Sequence, residues 1–257
     1  MITFAHIIAV IISFIVMASL FMFTKFYANK YVNISIRVTS IIWLLITQLY
    51  FIINRIIDNP HDINSYIYLE LCNMVGWSAI IILIFPTKIQ MDTFFPLAII
   101  GPALTILIPK DWNSLVFSNF WYYQFYFGHL VGMYAYFYIY LYGQTKFKFS
   151  KQLISRSVLT GTLILSLVEV YNLTFGNNAN YIFKDIVGAI GQDQWPQGWQ
   201  FLFVLCVAGP VFLTVSWTVI YFFKPIYEIN WKVRNQIKLR DTLWEKAFAK
   251  INFYKIR

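Results

Sequence analysis

A thiol and an imidazole are the side chains of this sequence best suited to covalent chemistry: Cys72, in Tyr68-Leu69-Glu70-Leu71-Cys72-Asn73, and His129, in Phe125-Tyr126-Phe127-Gly128-His129. A thiolate attacks a carbonyl carbon and His can shuttle the proton, so the two together suit acyl transfer. Each residue also has a plainer reading. A free Cys often behaves as a small hydrophobe, and a His within a membrane often only joins two helices.

The elements that must position them are membrane spans. The chain has 257 residues, 59% of them hydrophobic, 20% aromatic and only 12% charged, whereas soluble domains carry about 25% charged residues. About 20 apolar residues cross the hydrocarbon layer as a helix. Seven segments of that order are expected, over residues 4–24, 36–57, 66–85, 92–109, 116–143, 153–175 and 199–223. The chain therefore reads as an all-α, polytopic seven-helix bundle over residues 1–223, followed by a basic cytoplasmic tail over 224–257. The fourth span is short and holds Pro96, Gly101 and Pro102, which predicts that it is broken or packed inside the bundle.

Cytoplasmic loops carry the excess of Lys and Arg. An outside N-terminus and a cytoplasmic C-terminus put seventeen of the twenty basic residues inside and leave Arg55, Lys110 and Lys184 outside. The first basic residue, Lys25, follows the first apolar run, the reverse of a cleaved signal peptide, so that span is expected to be retained. The cell membrane is the expected location. The net charge of +9 is mostly this topological signal. In the tail, Lys232, Arg234, Lys238, Arg240, Lys246 and Lys250 alternate with Ile237, Leu239, Leu243, Trp244 and Phe248. That pattern predicts an interfacial helix on anionic lipid and not a nucleic-acid surface. The two cysteines are poor candidates for a disulfide, and no spacing suggests zinc or haem, so no metal or other cofactor is expected.

Depth follows from the rise of 1.5 Å per helical residue. Cys72, His129 and Glu169 each fall roughly 9 Å inside the outer end of their spans, taking Trp121, Tyr122 and Tyr123 as an aromatic belt. Ionisable groups inside a bilayer turn toward partners or a wet cavity, which makes Glu70 and Glu169 candidates. Glu169 and Asn172 share a helix face. Glu70 and Cys72 lie about 200° apart on a regular helix and cannot both face one spot. Gly128 and Gly132 flank His129 in a Gly-x-x-x-Gly spacing, which either brings a second backbone close or opens room for an acyl chain. Phe125, Tyr126, Phe127, Tyr134, Tyr136, Phe137, Tyr138 and Tyr140 are core, lipid-facing or a greasy wall. The 23-residue connection from Gly176 to Gly198 is long enough to lid the polar layer.

At these residues the chain resembles the YwaF-like family of bacterial integral membrane proteins, to which eukaryotic transmembrane protein 164 also belongs. The resemblance runs through Leu71-Cys72, Gly101-Pro102-Ala103-Leu104 to Pro109, Phe127-Gly128-His129, Asn172, Gly176, Asn180-Tyr181 and Trp195-Pro196. It implies acyl transfer from a glycerophospholipid to a lysophospholipid, with Cys72 as the acyl-accepting nucleophile and His129 as its base. Glu70, Asn73, Glu169, Asn172, Asn180 and Tyr181 are the accompanying candidates for substrate binding. At Glu70 the chain departs from the family, which has a His two residues before the Cys.

Two other classes compete. A proton-coupled transporter would use Glu70, His129 and Glu169 as a relay. A scaffold would use the same groups only to lock helices. No His-x-x-x-x-Asp acyltransferase motif, Gly-x-Ser-x-Gly elbow or phosphate-cradling loop is present. The charge division predicts that reporters fused to the two termini report from opposite sides of the membrane, the N-terminal one outside.

Overall fold

The computed structural model describes residues 3–58, 71–107, 116–175, 186–187, 191–192, 194–230 and 235–253. Helices account for most of them: α1 (Phe4–Met22), α2 (Thr24–Tyr27), α3 (Lys30–Asp58), α4 (Leu71–Ile84), α5 (Lys88–Leu107), α6 (Phe120–Leu141), α7 (Lys151–Phe175), α8 (Gln197–Phe222) and α9 (Leu243–Phe253). The fold is mostly helical but not all-α, because Tyr227–Asn230 (β1) and Asn235–Lys238 (β2) pair as an antiparallel hairpin.

Local sequence sets most helix ends. The Thr3 hydroxyl accepts from the His6 amide at 3.2 Å, and the Asn119 side chain accepts from the Trp121 amide at 2.9 Å. After α4, Pro86 prevents continuation, and Thr87 caps the next helix: its oxygen accepts from the Gln90 amide and its hydroxyl donates to Gln90 Oε1. Despite Pro96, Gly101 and Pro102, α5 is one continuous helix, and it is the most enclosed of the long apolar ones. The expectation of an inside-packed span therefore holds and that of a broken one does not. Neighbouring helices supply the packing that an isolated proline helix lacks.

Five helices among the described residues are long and apolar enough to cross a membrane: α1, α3, α5, α7 and α8. The other two expected spans differ from these for separate reasons. Helix α4 has 14 residues, and the residues before it lie outside the described ones. Helix α6 has 22 residues, yet seven tyrosines, Gln124 and His129 lower its hydropathy.

Those tyrosines explain the architecture, because α6 is the axis on which the bundle packs and most of it is buried. Its hydroxyls reach backbone or side-chain groups on four other helices. Tyr122 donates to the Ala5 carbonyl at 2.8 Å, Tyr126 bonds His6 Nδ1 at 2.6 Å, and Tyr142 donates to the Leu20 carbonyl at 2.8 Å, all toward α1. Tyr138 donates to the Tyr27 carbonyl of α2 at 3.0 Å, Tyr136 to Ser78 Oγ of α4 at 2.8 Å and Tyr140 to the Ile220 carbonyl of α8 at 2.9 Å. Tyr122 is thus core and not a member of an aromatic belt.

Helix α8 contains one irregular turn. Val204–Ala208 is π-helical, and the Gly209 amide closes it on the Val204 carbonyl. The cause is the next residue: Pro210 has no amide hydrogen, and its ring cannot stand over the preceding carbonyl at α-helical spacing. The turn before it widens, and Gly209 permits the closure, since a Cβ there would lie 2.9 Å from the Val204 oxygen.

The tail begins as the hairpin. Of the helix expected from Lys232 onward, Lys232 and Arg234 lie outside the described residues, Ile237 and Lys238 are in β2, and Leu243, Trp244, Lys246, Phe248 and Lys250 do form helix α9. The hairpin is anchored where α6 ends. Tyr227 stacks on Tyr142 with ring centroids 5.5 Å apart, Ile226 donates its amide to the Leu141 carbonyl at 2.8 Å, and Gln236 Nε2 reaches the Tyr142 carbonyl at 3.2 Å. Gly143 makes this possible. It sits at φ +57, and a Cβ would come within 2.2 Å of the Tyr227 carbonyl. Backbone bonds to Leu141 and Gly143 outweigh the tail's helical charge alternation, which is a weak prior beside such pairing.

Beyond the hairpin, Thr242 and Glu245 form the capping box of α9, with the Thr242 amide 2.9 Å from Glu245 Oε2. Glu245 Oε1 also accepts from the Thr24 hydroxyl at 2.5 Å and from Lys238 Nζ at 2.9 Å, tying α9 to the start of α2. Partial burial opposes its charge, but the bonds from Thr24, the Thr242 amide and Lys238 outweigh that and hold the carboxyl at about 2, below its ordinary 4.5. A depressed carboxyl contributes stability that is full above the unfolded value and lost as pH falls through the folded one. The protection of the α9 amides, their exchange relative to the intrinsic rate at the same pH, is therefore expected to be high at pH 7 and to fall between about pH 4.5 and pH 2, and Glu245→Gln is expected to lower it already at pH 7.

Candidate functional site

Helices α4 and α6 run parallel in one register. A Cβ on Gly132 would touch Val75 Cγ1 at 3.8 Å, and one turn further Tyr136 bonds Ser78. Val75 is three residues after Cys72, and Gly132 is three after His129. The contact that aligns the two helices thus puts Cys72 and His129 level, one turn before it, with both side chains half-buried. Gly128 faces a third helix: a Cβ there would lie 3.7 Å from Thr47 of α3. The Gly-x-x-x-Gly spacing accordingly brings α3 and α4 against α6 on either side of His129.

The third wall is α5. Cys72 Sγ lies 3.6 Å from Thr105 Oγ1, and Thr105 gives its own proton to the Gly101 carbonyl at 2.9 Å. The threonine oxygen is then the acceptor for the thiol. Gly101 leaves the room for this, since a Cβ there would stand 3.8 Å from the sulfur. Thr105 was not legible as a site residue, because its only sequence signal is its place one turn after Gly101.

His129 Nδ1 is 2.5 Å from the Phe125 carbonyl, one turn earlier in its own helix. A carbonyl only accepts, so Nδ1 carries the hydrogen and Nε2 is the ring's basic nitrogen. Phe125 also packs its ring against the imidazole, with centroids 4.9 Å apart. The backbone of α6 thereby fixes both the tautomer and the orientation of the ring.

The remaining candidates are placed less closely. Asn73 is half-buried on α4 beside Cys72. Glu169, on α7, accepts from Gln197 Nε2 at 3.0 Å, so it ties α7 to the first turn of α8. Asn172 is on α7, but its side chain lies outside the described residues, as do Glu70, Asn180 and Tyr181 altogether. Of the expected lid, residues 186–187, 191–192 and 194–198 are described: the Gln192 amide donates to the Val187 carbonyl at 3.1 Å, and near its end Gln200 Nε2 donates to the Trp195 carbonyl at 2.6 Å.

Next to Cys72 opens an apolar cavity of about 170 Å³ between α5, α7 and α8. Leu71 contributes from α4, Leu97 and Ile100 from α5, and the π-helical turn contributes Val204 and Leu205. A π-turn inside a helix often marks a functional site.

A buried charge pair lies nearer the basic end. Asp92 of α5 is fully buried and bonded to Arg156 of α7, with Lys88 Nζ 4.0 Å away. Opposite charges on two spans were the signal for it. No sequence expectation included it.

The sequence matches the model of the TMEM164 family over residues 1–238. Neither a curated protein nor a solved structure matches.

The Asp92–Arg156 pair yields an asymmetric expectation. Breaking a fully buried pair costs about 3–5 kcal/mol, and this pair, with only its aspartate buried, is expected to cost less. Arg156→Leu leaves an aspartate that is 0% exposed with only Lys88 Nζ, at 4.0 Å, against it, whereas Asp92→Leu leaves an arginine whose side chain is 38% exposed and can reach water. Thermal unfolding in detergent is expected to show the larger loss for Arg156→Leu, and recovery of part of it in the Asp92→Leu/Arg156→Leu double variant.

Proposed function

The chain belongs to the TMEM164 family, and on that footing we propose that it is a membrane-embedded phospholipid acyltransferase with Cys72 as nucleophile and His129 as base. It is a multi-pass membrane protein, with five long apolar helices among the described residues. The proposal adds that α4 and α6 complete seven spans in the cell membrane, N-terminus outside, and that residues 224–257 form a cytoplasmic tail on anionic lipid. The observation that supports the reading is the shared register of α4 and α6, which sets the thiol and the imidazole level, with Leu71, next to Cys72, lining an apolar cavity.

The chemistry follows from the atoms. His129 Nε2 takes the thiol proton, and the sulfur attacks the ester carbonyl of a glycerophospholipid. The sulfur–carbon bond forms, and the bond from the acyl carbon to the glycerol oxygen breaks. The imidazolium returns its proton to that oxygen, so a lysophospholipid leaves and a thioester remains on Cys72. In the second half a different lysophospholipid loses its hydroxyl proton to His129 and attacks the thioester. The carbon–sulfur bond breaks, and the proton goes back to sulfur. No oxidant or further co-reactant is needed. Thr105 positions the thiol, while Asn73, Glu169, Asn172, Asn180, Tyr181 and Glu70 are the polar candidates for the headgroup.

Exchange of a labelled acyl chain between phospholipid and lysophospholipid in vesicles tests the reading. Cys72→Ser is expected to lose nearly all transfer, since an alcohol has a far higher pKa than a thiol and the same base does not activate it. His129→Ala is expected to lose about 10²- to 10⁴-fold, the usual share of a general base. Cys206→Ser, exposed on the π-turn, is expected to be nearly silent. Unchanged exchange in Cys72→Ser would remove the acyl-enzyme, and no exchange by the unaltered protein together with proton uptake into vesicles that is lost in Glu169→Gln and kept in Cys72→Ser would favour proton-coupled transport.

A further inference from the structure

The cavity beside Cys72 is a cleft, and its sides are built to stay apart. On α7 the wall includes Gly161, where a Cβ would meet nothing within 4 Å. On α8 it includes Gly209 and Pro210, at the turn that the proline forces out of α-helical spacing. Two independent devices, a missing side chain and a widened turn, therefore hold the same gap open. The floor is α5, through Leu97 and Ile100.

The cleft is long. Its wall on α7 runs from Val158 to Leu165, about 10 Å of helix, and its wall on α8 from Val204 to Trp217, about 20 Å. Its rim is exposed at Val158, Thr162, Pro210 and Thr214. Both flanking helices are apolar enough to span a membrane, so the medium at that rim is hydrocarbon. A long, carbon-lined slot opening sideways into hydrocarbon fits a flexible alkyl chain and not a polar solute, which would leave its hydrogen bonds unmet there.

One end of the slot is chemically distinct. Leu71 lines it directly before Cys72, and Ile100 lines it directly before Gly101, the residue that faces the Cys72 sulfur. At the other end Trp217 closes it, fixed by its indole nitrogen 3.0 Å from Ser157 Oγ.

We propose that the α7–α8 cleft binds one acyl chain of a membrane phospholipid, entering sideways from the bilayer, with the ester end at Cys72 and the methyl end toward Trp217. The binding of the chain stands on the cleft alone; its direction rests on the acyl-transfer reading. The whole chain, reconstituted in phosphatidylcholine vesicles doped with a phosphatidylcholine whose acyl chain carries a diazirine, is irradiated, and the labelled peptides are located by mass spectrometry. Label is expected to concentrate on cleft residues such as Leu165, Leu205 and Phe212. Gly161→Trp fills the gap and is expected to reduce that label severalfold, and Thr162→Phe, which blocks the rim without entering the core, is expected to do the same. Ile11→Trp, on the exposed side of α1, is expected to leave it unchanged. Label spread evenly around the bundle, or undiminished in both cleft variants, overturns the proposal. Cleft-directed label without any acyl exchange in the unaltered protein keeps the site and removes the enzyme, whereas Cys72-dependent exchange with even label keeps the enzyme and removes the site.

Discussion

Inside a bilayer a polar group with no partner has no water to turn to, and the tyrosines of α6 turn that constraint into architecture. Five hydroxyls of α6, on Tyr122, Tyr126, Tyr136, Tyr138 and Tyr140, and that of Tyr142 just past its end each bond a group on another helix. Hydrogen bonds between membrane helices average only about 0.6 kcal/mol each, so their effect is less in strength than in direction. Each one is satisfied in a single register. Slipping α6 by one residue would turn its hydroxyls away from the carbonyls of Ala5, Leu20, Tyr27 and Ile220 together.

The candidate site inherits that register. Tyr136 on Ser78, with Val75 against Gly132, fixes α4 along α6, and through it the level of Cys72 relative to His129. The imidazole is then oriented by the backbone of its own helix, and the thiol by a threonine on a third. Three elements, α4, α5 and α6, thus converge on the pair. The strongest charges, Asp92 and Arg156, are kept lower in the bundle, where they join α5 to α7. That junction and the Glu169–Gln197 bond define the two helices that border the cleft, leaving the stretch between them free to carry Gly161 and the π-turn.

The basic end is organised differently, by backbone pairing and caps. Gly143 lets β1 approach α6 closer than any side chain would allow, and Glu245 serves α9 as cap and α2 as anchor. The hairpin and α9 are therefore attached to the same helix, α6, and the same corner, Thr24, on which the bundle depends. Apolar side chains such as Leu239, Leu243 and Trp244 remain exposed beside this docked module.

By itself the sequence determined the class, because 12% charged residues and repeated apolar runs leave few alternatives to a membrane protein. It determined most helix limits to within a few residues, and because a helix advances a fixed 1.5 Å per residue it suggested a common level for Cys72 and His129. Cys72 and His129 were legible as a level pair for that reason. What only the tertiary structure decided is rotation and partnership. A helix enclosed on all sides has no polar face to reveal its orientation, so the tyrosines of α6 looked like belt or wall until their carbonyl partners were in place. Thr105 beside Cys72, Gln197 on Glu169 and Arg156 on Asp92 belong to the same kind of information, each joining residues far apart in the chain. The hairpin at Tyr227 was hidden for a related reason: its register is set by Gly143, a single left-handed glycine at the end of α6, and charge alternation within the tail carries no trace of a contact made outside it.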